Sequence, residues 1–570
     1  MVKFDFMKYQ NFKILTVFSL STIAAFLFGW NTIINGPGAI IESSAMWNGY
    51  KVKPDHVFNG EREYDVLRYN IGLKLDPAKK IIKCEVEITL VPSANLSEVE
   101  FDLSSDMAVS GVKIKDKAIN FTRSVDILQL SNKFKKNDTV TISVSYSGDP
   151  SKKKNFFFGR INKIDLIYTL NEPENARDWL VCNDTPSDKA LVSFAITTDT
   201  SLTSVSTGKL DSTVTNSMSG ERTTYWSSAV QVPTYLISFF CSRYQTGEST
   251  YISNISGKSL PLYIYGLPWQ RLKFSGILED HKEFLGVFEK YFGEYPFPGE
   301  KYGIAAFLWQ YGAMEYPTIS GFGSRLIDDY PAQQTVFAHE LAHHWFGNAV
   351  SPKTWGDIWL NEGFATFCEW LYLEEQGKNE GRDLISKTLE YAKEPNALKG
   401  VLKDPDDIFA SRVYIKGAWV LRMLRNELGD EKFFKGLKDY YNSFKYRNAS
   451  TEDLIDVFER VSGRNLGLFF DQWIFSGEGI ISLKTGEMKV EKRNGKYIAS
   501  VKIEQVQQEN RTYNFLLDIK LSGEGRVEQR KARITKKEQT LEFELGFKPE
   551  KYELDPDNFL LFRKANDKEN

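Results

Sequence analysis

The segment that most constrains the fold of this chain is His339-Glu340-Leu341-Ala342-His343. On a helix, residues four apart lie on one face, so the imidazoles of His339 and His343 would point the same way and could bind one metal ion. Glu340 lies between them, where its carboxylate can reach a water molecule beside that metal. A third protein ligand is needed, and Glu362 follows in a second helical segment. The pattern predicts a zinc site with one coordination position left open.

This five-residue pattern also arises by chance in helices that bind no metal. A single histidine is more often a surface or core residue than a metal ligand, so the motif alone leaves both interpretations open. The presence of Glu362 in a second helical segment favours the metal site.

The composition indicates several domains and excludes one class of partner. The chain has 570 residues, of which 42% are hydrophobic and 26% charged, and this is enough for three or four domains with large cores. A formal net charge of −3 provides no basic surface of the kind that nucleic acids require. The four cysteines are far apart in sequence, so they neither require nor exclude a disulfide.

The N-terminal segment, residues 1–49, contains a long apolar run. Lysines precede this run, and no charged residue occurs from Ile14 to Ile41. The apolar length is close to the minimum for a bilayer span, and the preceding lysines predict a cytoplasmic N-terminus. We expect residues 14–34 to anchor the chain in a membrane with its other domains outside the cytoplasm. The alternatives are a secreted protein after signal cleavage, and a cytoplasmic protein if the segment is an artefact of the gene start.

Residues 50–247 alternate between apolar and polar side chains in short stretches, for example at residues 82–91 and 191–198. Turn-forming residues separate these stretches, so we expect an N-terminal antiparallel β domain. The loop-like stretch Leu170–Trp179 departs from this pattern and contains Glu172. It is either a solvated connection or a loop that carries an acidic residue toward a neighbouring cleft.

Residues 248–478 show helical periodicity, which predicts a mainly helical catalytic domain. The helix with the two histidines is predicted from about Ala332 to Asn348, and the next helix from Asp357 to Gln376. Later in that second helix, either Thr366 or Glu369 could orient a zinc-bound imidazole.

Two further segments of this domain contain candidate functional residues. In Gly312-Ala313-Met314-Glu315-Tyr316-Pro317, the glycine permits close backbone approach and the proline suits an edge strand. A peptide could pair along such an edge, with Glu315 near its end; the alternative is an ordinary hairpin. Tyr414 stands at the start of a buried helix, either as a core residue or as a phenol that donates to an oxyanion.

Residues 479–570 return to alternating strands, with Asn494-Gly495 as a hairpin turn. We expect a small C-terminal β sandwich without catalytic residues. The sequence therefore predicts a multidomain α+β protein.

Together these segments resemble the aminopeptidase N family of zinc metallopeptidases over most of residues 60–560. In that family a glutamate follows the H-E-x-x-H motif at a fixed distance, and Glu362 follows His343 at that same distance here. The resemblance implies a thermolysin-like catalytic domain and one zinc ion per chain, bound by His339, His343 and Glu362. It also implies that Glu340 is the general base.

The family motif G-x-M-E-N is similar to Gly312-Ala313-Met314-Glu315-Tyr316. The resemblance implies that residues 312–315 bind substrate and that Glu315 holds its free α-amino group. Glu172 matches a second glutamate with the same role, and Tyr414 matches the family's transition-state tyrosine. Tyr316 replaces the usual asparagine, so the contacts around the first side-chain pocket stay open.

The expected function is zinc-dependent hydrolysis of the N-terminal peptide bond of peptides with a free α-amino group. One alternative is a zinc epoxide hydrolase of the same family. The other is a catalytically inactive scaffold, which the presence of all three metal ligands together with Glu340 and Tyr414 disfavours.

Overall fold

The computed structural model describes residues 62–565, apart from residues 154, 310–311, 378, 478 and 508–510. The predicted apolar anchor at residues 14–34 lies outside this part of the chain. Among the helices of the described residues, none is long and apolar enough to cross a membrane.

The N-terminal domain is rich in β structure, as its alternating sequence predicts. Its strands are β1 (Tyr64–Asp76), β2 (Ile81–Pro92), β3 (Leu96–Asp102), β4 (Met107–Ile114), β5 (Lys117–Ala118), β6 (Asn120–Ser124), β7 (Ile127–Phe134), β8 (Val140–Gly148), β9 (Phe156–Ile161), β10 (Ile164–Thr169), β11 (Lys189–Asp199), β12 (Thr203–Ser206), β13 (Lys209–Asn216), β14 (Glu221–Ser227), β15 (Val232–Pro233) and β16 (Phe239–Ser242). In β2, Ile82 and Val86 are buried while Lys83 and Glu85 are exposed, so one face of the sheet covers the core.

The strands of this domain form three sheets. The largest has nine strands in the order β13-β14-β11-β1-β2-β8-β4-β5, with β15 paired to β11. The others have the orders β12-β16-β10-β9 and β3-β7-β6.

The expectation of an antiparallel domain is wrong for one strand pair. Strands β1 and β11 run parallel, with Arg68 opposite Leu191 and Lys74 opposite Thr197. Parallel neighbours need a long crossover, and β2 to β10 all lie between these two strands in the chain. No local sequence pattern encodes such a distant pairing.

The helical region follows, with one five-stranded sheet and nine α-helices among its described residues. Its strands are β17 (Gln245–Ile252), β18 (Ser259–Gly266), β19 (Tyr302–Phe307), β20 (Ala313–Met314), β21 (Ile319–Gly323), β22 (Val350–Pro352) and β23 (Arg447–Ala449). Its helices are α1 (Phe274–Phe292), α2 (Ser324–Asp328), α3 (Gln334–Ala342), α4 (Trp359–Glu375), α5 (Asn379–Ala392), α6 (Ser411–Leu428), α7 (Asp430–Phe444), α8 (Thr451–Ser462) and α9 (Gly467–Phe470). The sheet order β17-β18-β19-β21-β20 places β20 at an edge, as its sequence predicts.

Helix α3 is shorter than predicted, because it ends at Ala342 rather than near Asn348. Gly347 has a φ of +137°, which an α-helix does not accommodate. His343 nevertheless keeps helical dihedral angles, with φ −55° and ψ −24°, and its N–H donates to the carbonyl of His339. The spacing of one turn between the two histidines therefore survives the early end of the helix.

The C-terminal region is also rich in β structure. Its strands are β24 (Ile481–Thr485), β25 (Lys489–Arg493), β26 (Lys496–Gln505), β27 (Phe515–Gly523), β28 (Arg526–Ile534), β29 (Glu538–Leu545), β30 (Lys551–Leu554) and β31 (Phe562–Lys564). They form a five-stranded and a three-stranded sheet. The predicted turn joins β25 to β26, with φ of +50° at Asn494 and +81° at Gly495. Arg422 of α6 donates to the carbonyl of Asn558 at 2.6 Å, which attaches this region to the helices.

Candidate active site

The three predicted metal ligands meet in a buried cluster between α3 and α4. The Nε2 atom of His339 lies 3.4 Å from Oε2 of Glu362, and Nε2 of His343 lies 3.5 Å from the same oxygen. All three ligand atoms lie within 4.8 Å of one another. Two imidazole nitrogens and one carboxylate oxygen are the donor set of a zinc site that leaves a position open. The residues therefore fit a zinc ion.

The remaining nitrogen of each imidazole is already paired. Nδ1 of His339 lies 2.9 Å from Oε1 of Glu369, and Nδ1 of His343 lies 3.1 Å from the carbonyl oxygen of Phe346. These partners turn the Nε2 atoms toward Glu362. Of the two candidates on α4, Glu369 contacts the ring, whereas the buried hydroxyl of Thr366 forms no hydrogen bond with any described residue.

The electrostatics of the cluster favour an ionised ligand carboxylate. Burial by itself raises the pKa of Glu362, but His343 and His339 outweigh burial and lower this pKa to about 2. For the neighbouring Glu340 the balance is reversed. Burial outweighs the effect of the same two histidines and raises the pKa of this carboxyl to about 8. The two glutamates thus differ in proton affinity, although both are buried.

Tyr414 lies in the first turn of α6, and its ring stacks on that of His339 with centroids 6.3 Å apart and planes at 20°. Helix α6 reaches this position because it packs very closely on α4. A Cβ atom on Gly363 would lie 2.8 Å from Cα of Gly417, so only glycines permit this approach. The contact therefore fixes Tyr414 relative to Glu362, the residue before Gly363.

The two predicted amine-binding glutamates come from different domains and share one environment. Glu172 lies in the loop between β10 and β11, and Glu315 directly follows β20. Each side chain is buried, and Oε1 of each forms no hydrogen bond with any described residue. Burial raises the pKa of Glu172, and Glu315 raises it further. Burial likewise raises the pKa of Glu315.

The segment before Glu315 forms the edge that its sequence predicts. Ala313 and Met314 pair with Phe322 and Gly321 of β21. The carbonyl of Gly312 accepts a hydrogen bond of 2.8 Å from the N–H of Gly323. A Cβ atom on Gly312 would lie 2.1 Å from the ring of Trp309, which explains the need for glycine there.

Sequence reasoning missed several residues that support this site. Asn348 donates from Nδ2 to the carbonyl of Glu315 at 2.6 Å. Lys189, at the start of β11, donates to the carbonyl of Asn348 at 3.2 Å. Asn361, next to Glu362, donates to the hydroxyl of Tyr235 at 3.4 Å. The two partners of each bond are far apart in sequence, so no spacing pattern could have indicated them.

Comparison with known families identifies the chain. The profile of the Peptidase M1 N-terminal domain matches residues 66–236, and that of the Peptidase family M1 domain matches residues 277–473. The chain belongs to peptidase family M1. This result confirms the resemblance to the aminopeptidase N family, since α3, α4 and the three metal ligands lie inside the second match.

Named relatives of this M1 chain are aminopeptidases. One is Aminopeptidase 2, mitochondrial, of Saccharomyces cerevisiae, which is 30% identical over 59% of this chain and 37% of its own length. Another is glutamyl aminopeptidase of Bitis rhinoceros, which is 31% identical over 55% of this chain and 35% of its own length. The chain thus spans little more than a third of the length of these relatives.

Two solved structures share the fold of this M1 chain. Aminopeptidase A of Legionella pneumophila superposes with a TM-score of 0.74 at 20% identity, over 90% of this chain and 61% of its own. An M1 zinc metallopeptidase of Deinococcus radiodurans superposes with a TM-score of 0.64 at 25% identity, over 74% of this chain and 95% of its own. A mutant of the Deinococcus protein is described as bound to a Tyr-Ser-Ala substrate.

Proposed function

We propose that this chain is a zinc-dependent aminopeptidase that removes N-terminal residues from peptides with a free α-amino group. The observation that carries the proposal is the pair of buried carboxylates, Glu172 and Glu315, both of which interact electrostatically with Glu362, one of the three residues that fit a zinc ion. Each has an oxygen without a hydrogen-bond partner among the described residues. An ammonium group would satisfy both, and a peptide has such a group at its N-terminus.

Three residues bind the metal in this proposal, and two act on the peptide. His339, His343 and Glu362 would hold a zinc ion, which supplies Lewis acidity and lowers the pKa of water. Glu340 accepts a proton from the attacking water and passes it to the leaving amine. Burial favours the protonated form of Glu340, which supports its role as the proton acceptor. The phenol of Tyr414 donates to the oxygen that gains negative charge.

Selection for a free N-terminus follows from the cost of burying unpaired charge. An acetylated N-terminus has no positive charge, so its binding would leave Glu172 and Glu315 desolvated and without a partner. Sites built to pair a polar group reject analogues that lack this group by large factors. The edge strand β20 adds a backbone along which an extended peptide can pair.

The test combines metal analysis with a panel of aminoacyl anilides, each offered free and N-acetylated. We expect about one zinc ion per chain, hydrolysis of the free series only, and loss of activity on chelation with recovery after zinc is restored. Metal-free protein without hydrolysis would support the inactive scaffold instead. Hydrolysis of an epoxide without hydrolysis of anilides would support the epoxide hydrolase, and cleavage of acetylated substrates would contradict amine recognition.

A further inference from the structure

The side chain of Tyr316 connects the two amine-binding glutamates. Tyr316 directly follows Glu315, is fully buried, and donates from its hydroxyl to the carbonyl of Thr169 at 2.8 Å. Thr169 lies three residues before Glu172, so one phenol contacts the backbone segment that leads to the other carboxylate.

Both ends of this connection are fixed by other contacts. The segment before Glu172 is held through Asn171, which donates from Nδ2 to the carbonyl of Ile237 at 2.5 Å and accepts from Nε1 of Trp179 at 3.0 Å. The segment that contains Tyr316 is held through the carbonyl of Glu315, which accepts from Asn348. The phenol therefore joins two anchored segments, and its loss would leave the spacing between them less defined.

Two buried carboxylates that share one environment disfavour each other's charged form. A cation that pairs with both restores the charged form. It binds more tightly if their spacing is held before it arrives, since an ordered site loses less free energy on binding.

We propose that Tyr316 is a positioning residue, which holds the Glu172 segment against Glu315 and so sets the spacing of the two carboxylates for an α-ammonium group. This inference rests on the proposed function. It also gives a role to the one residue that departs from the family motif. An asparagine side chain ends well before the position of the phenol oxygen, so it could not make this bond from the same backbone.

The test compares Tyr316→Phe with a matched control, Tyr244→Phe. Tyr244 is also buried, and its hydroxyl donates to the carbonyl of Ala306 at 2.7 Å, away from both glutamates. For the best free aminoacyl anilide, we expect Tyr316→Phe to raise KM about 2- to 10-fold with kcat changed less than about twofold. Tyr244→Phe should leave both values close to those of the wild type, and zinc content should be equal in all three proteins.

A double-mutant cycle with Glu172→Gln decides whether the phenol acts through Glu172. We expect Tyr316→Phe to raise KM much less in the Glu172→Gln protein than in the wild type, because the charge to be positioned is already absent. Equal effects in both proteins, or a Tyr316→Phe protein that matches Tyr244→Phe, would overturn the inference.

Hydrogen exchange gives a readout that does not need activity. The amide of Leu170, which donates to the carbonyl of Asn155 at 2.8 Å, should exchange slowly in the wild type and faster in Tyr316→Phe, whereas the exchange of α3 should stay unchanged. Equal exchange of this amide in the two proteins would overturn the inference. A wild type that hydrolyses no anilide would overturn the proposed function, and exchange would still decide whether the phenol holds the segment.

Discussion

The side chains of Glu172 and Glu315 are buried, and each has a carboxylate oxygen that forms no hydrogen bond with any described residue. A carboxylate in this state is costly for the folded protein unless a ligand completes its contacts. Sequence patterns could nominate Glu315 from its motif and Glu172 from the family resemblance. They could not show that the two side chains share one environment, because the two residues are distant in the chain and folding alone brings them together.

Replacement of Glu315 by glutamine should weaken recognition of the free N-terminus. The variant keeps the shape of the side chain but loses the charge, so we expect kcat/KM for free aminoacyl anilides to fall about 10- to 100-fold. Steady-state kinetics on matched free and acetylated substrates measure this change. An unchanged kcat/KM for the free series would show that Glu315 does not bind the amine.

Replacement of Glu369 by glutamine should weaken metal binding, because Glu369 contacts the ring of the ligand His339. Loss of such a partner typically reduces metal affinity about 10- to 100-fold. Competition with a zinc chelator would measure the affinity. Thr366→Val is the matched control, since Thr366 lies on the same helix but its hydroxyl bonds to no described residue. Equal zinc affinities in the two variants would contradict the assignment.

The close contact of α4 with α6 positions two residues of the proposed site at once. Helices α4 and α6 touch at Gly363 and Gly417. Glu362 and Tyr414 are therefore held on facing helices. The sequence predicted both helices and the start of α6 near Tyr414. It did not predict their contact, because glycines within a helix give no information about which neighbour approaches them.

Gly417→Ala should disturb this helix pair. The added Cβ atom would lie 2.8 Å from Cα of Gly363, so the helices must separate. We expect a loss of about 1–3 kcal/mol in the free energy of unfolding, together with a fall in kcat as Tyr414 moves away from His339. Denaturant unfolding and kinetics would measure both effects.

Gly286→Ala in α1 provides the control for that substitution. Its Cβ atom would contact only Nδ2 of Asn254, at 3.5 Å, so the usual helix preference for alanine applies. We expect a gain of about 0.5–1 kcal/mol without a change in kcat. A Gly417→Ala protein as stable and active as this control would show that the close approach is not required.

At the scale of the whole molecule, the proposed site depends on two domains rather than one. Local alternation predicted the β-rich N-terminal domain. The H-E-x-x-H motif and the family resemblance together predicted the three metal ligands, which lie close together in the structure. The parallel pair β1–β11 and the contacts across the domain boundary are nonlocal, so periodicity does not encode them. Lys189 at the start of β11 is the clearest example of such a contact.

Lys189 joins the N-terminal domain to the loop after α3. It is buried, and its Nζ atom donates to the carbonyls of Asn348, Ala349 and Arg447 at 3.2, 3.1 and 3.0 Å. These residues follow the metal-binding helix or lie on β23, so the lysine holds both against the N-terminal domain. Burial lowers the pKa of this lysine from 10.5 to about 7 in the folded protein.

This pKa predicts how stability changes with pH. Between pH 7 and about 10, Lys189 stays protonated in the unfolded chain. In the folded protein it loses its proton, and with it one of the three hydrogen bonds, in an increasing fraction of molecules, so the unfolded state binds more protons. Below pH 7 the folded protein bears the free-energy cost of burying the Lys189 charge, and this cost falls as the side chain loses its proton at higher pH. The free energy of unfolding of the wild type relative to Lys189→Met should therefore increase with pH, by up to about 1.4 kcal/mol per unit. Urea unfolding at several pH values measures this difference. The pKa of Lys301 is also lowered to about 7, but this residue is present in both proteins, so its contribution cancels in the difference. A difference that stays constant across this range would mean that Lys189 keeps its charge when the protein folds.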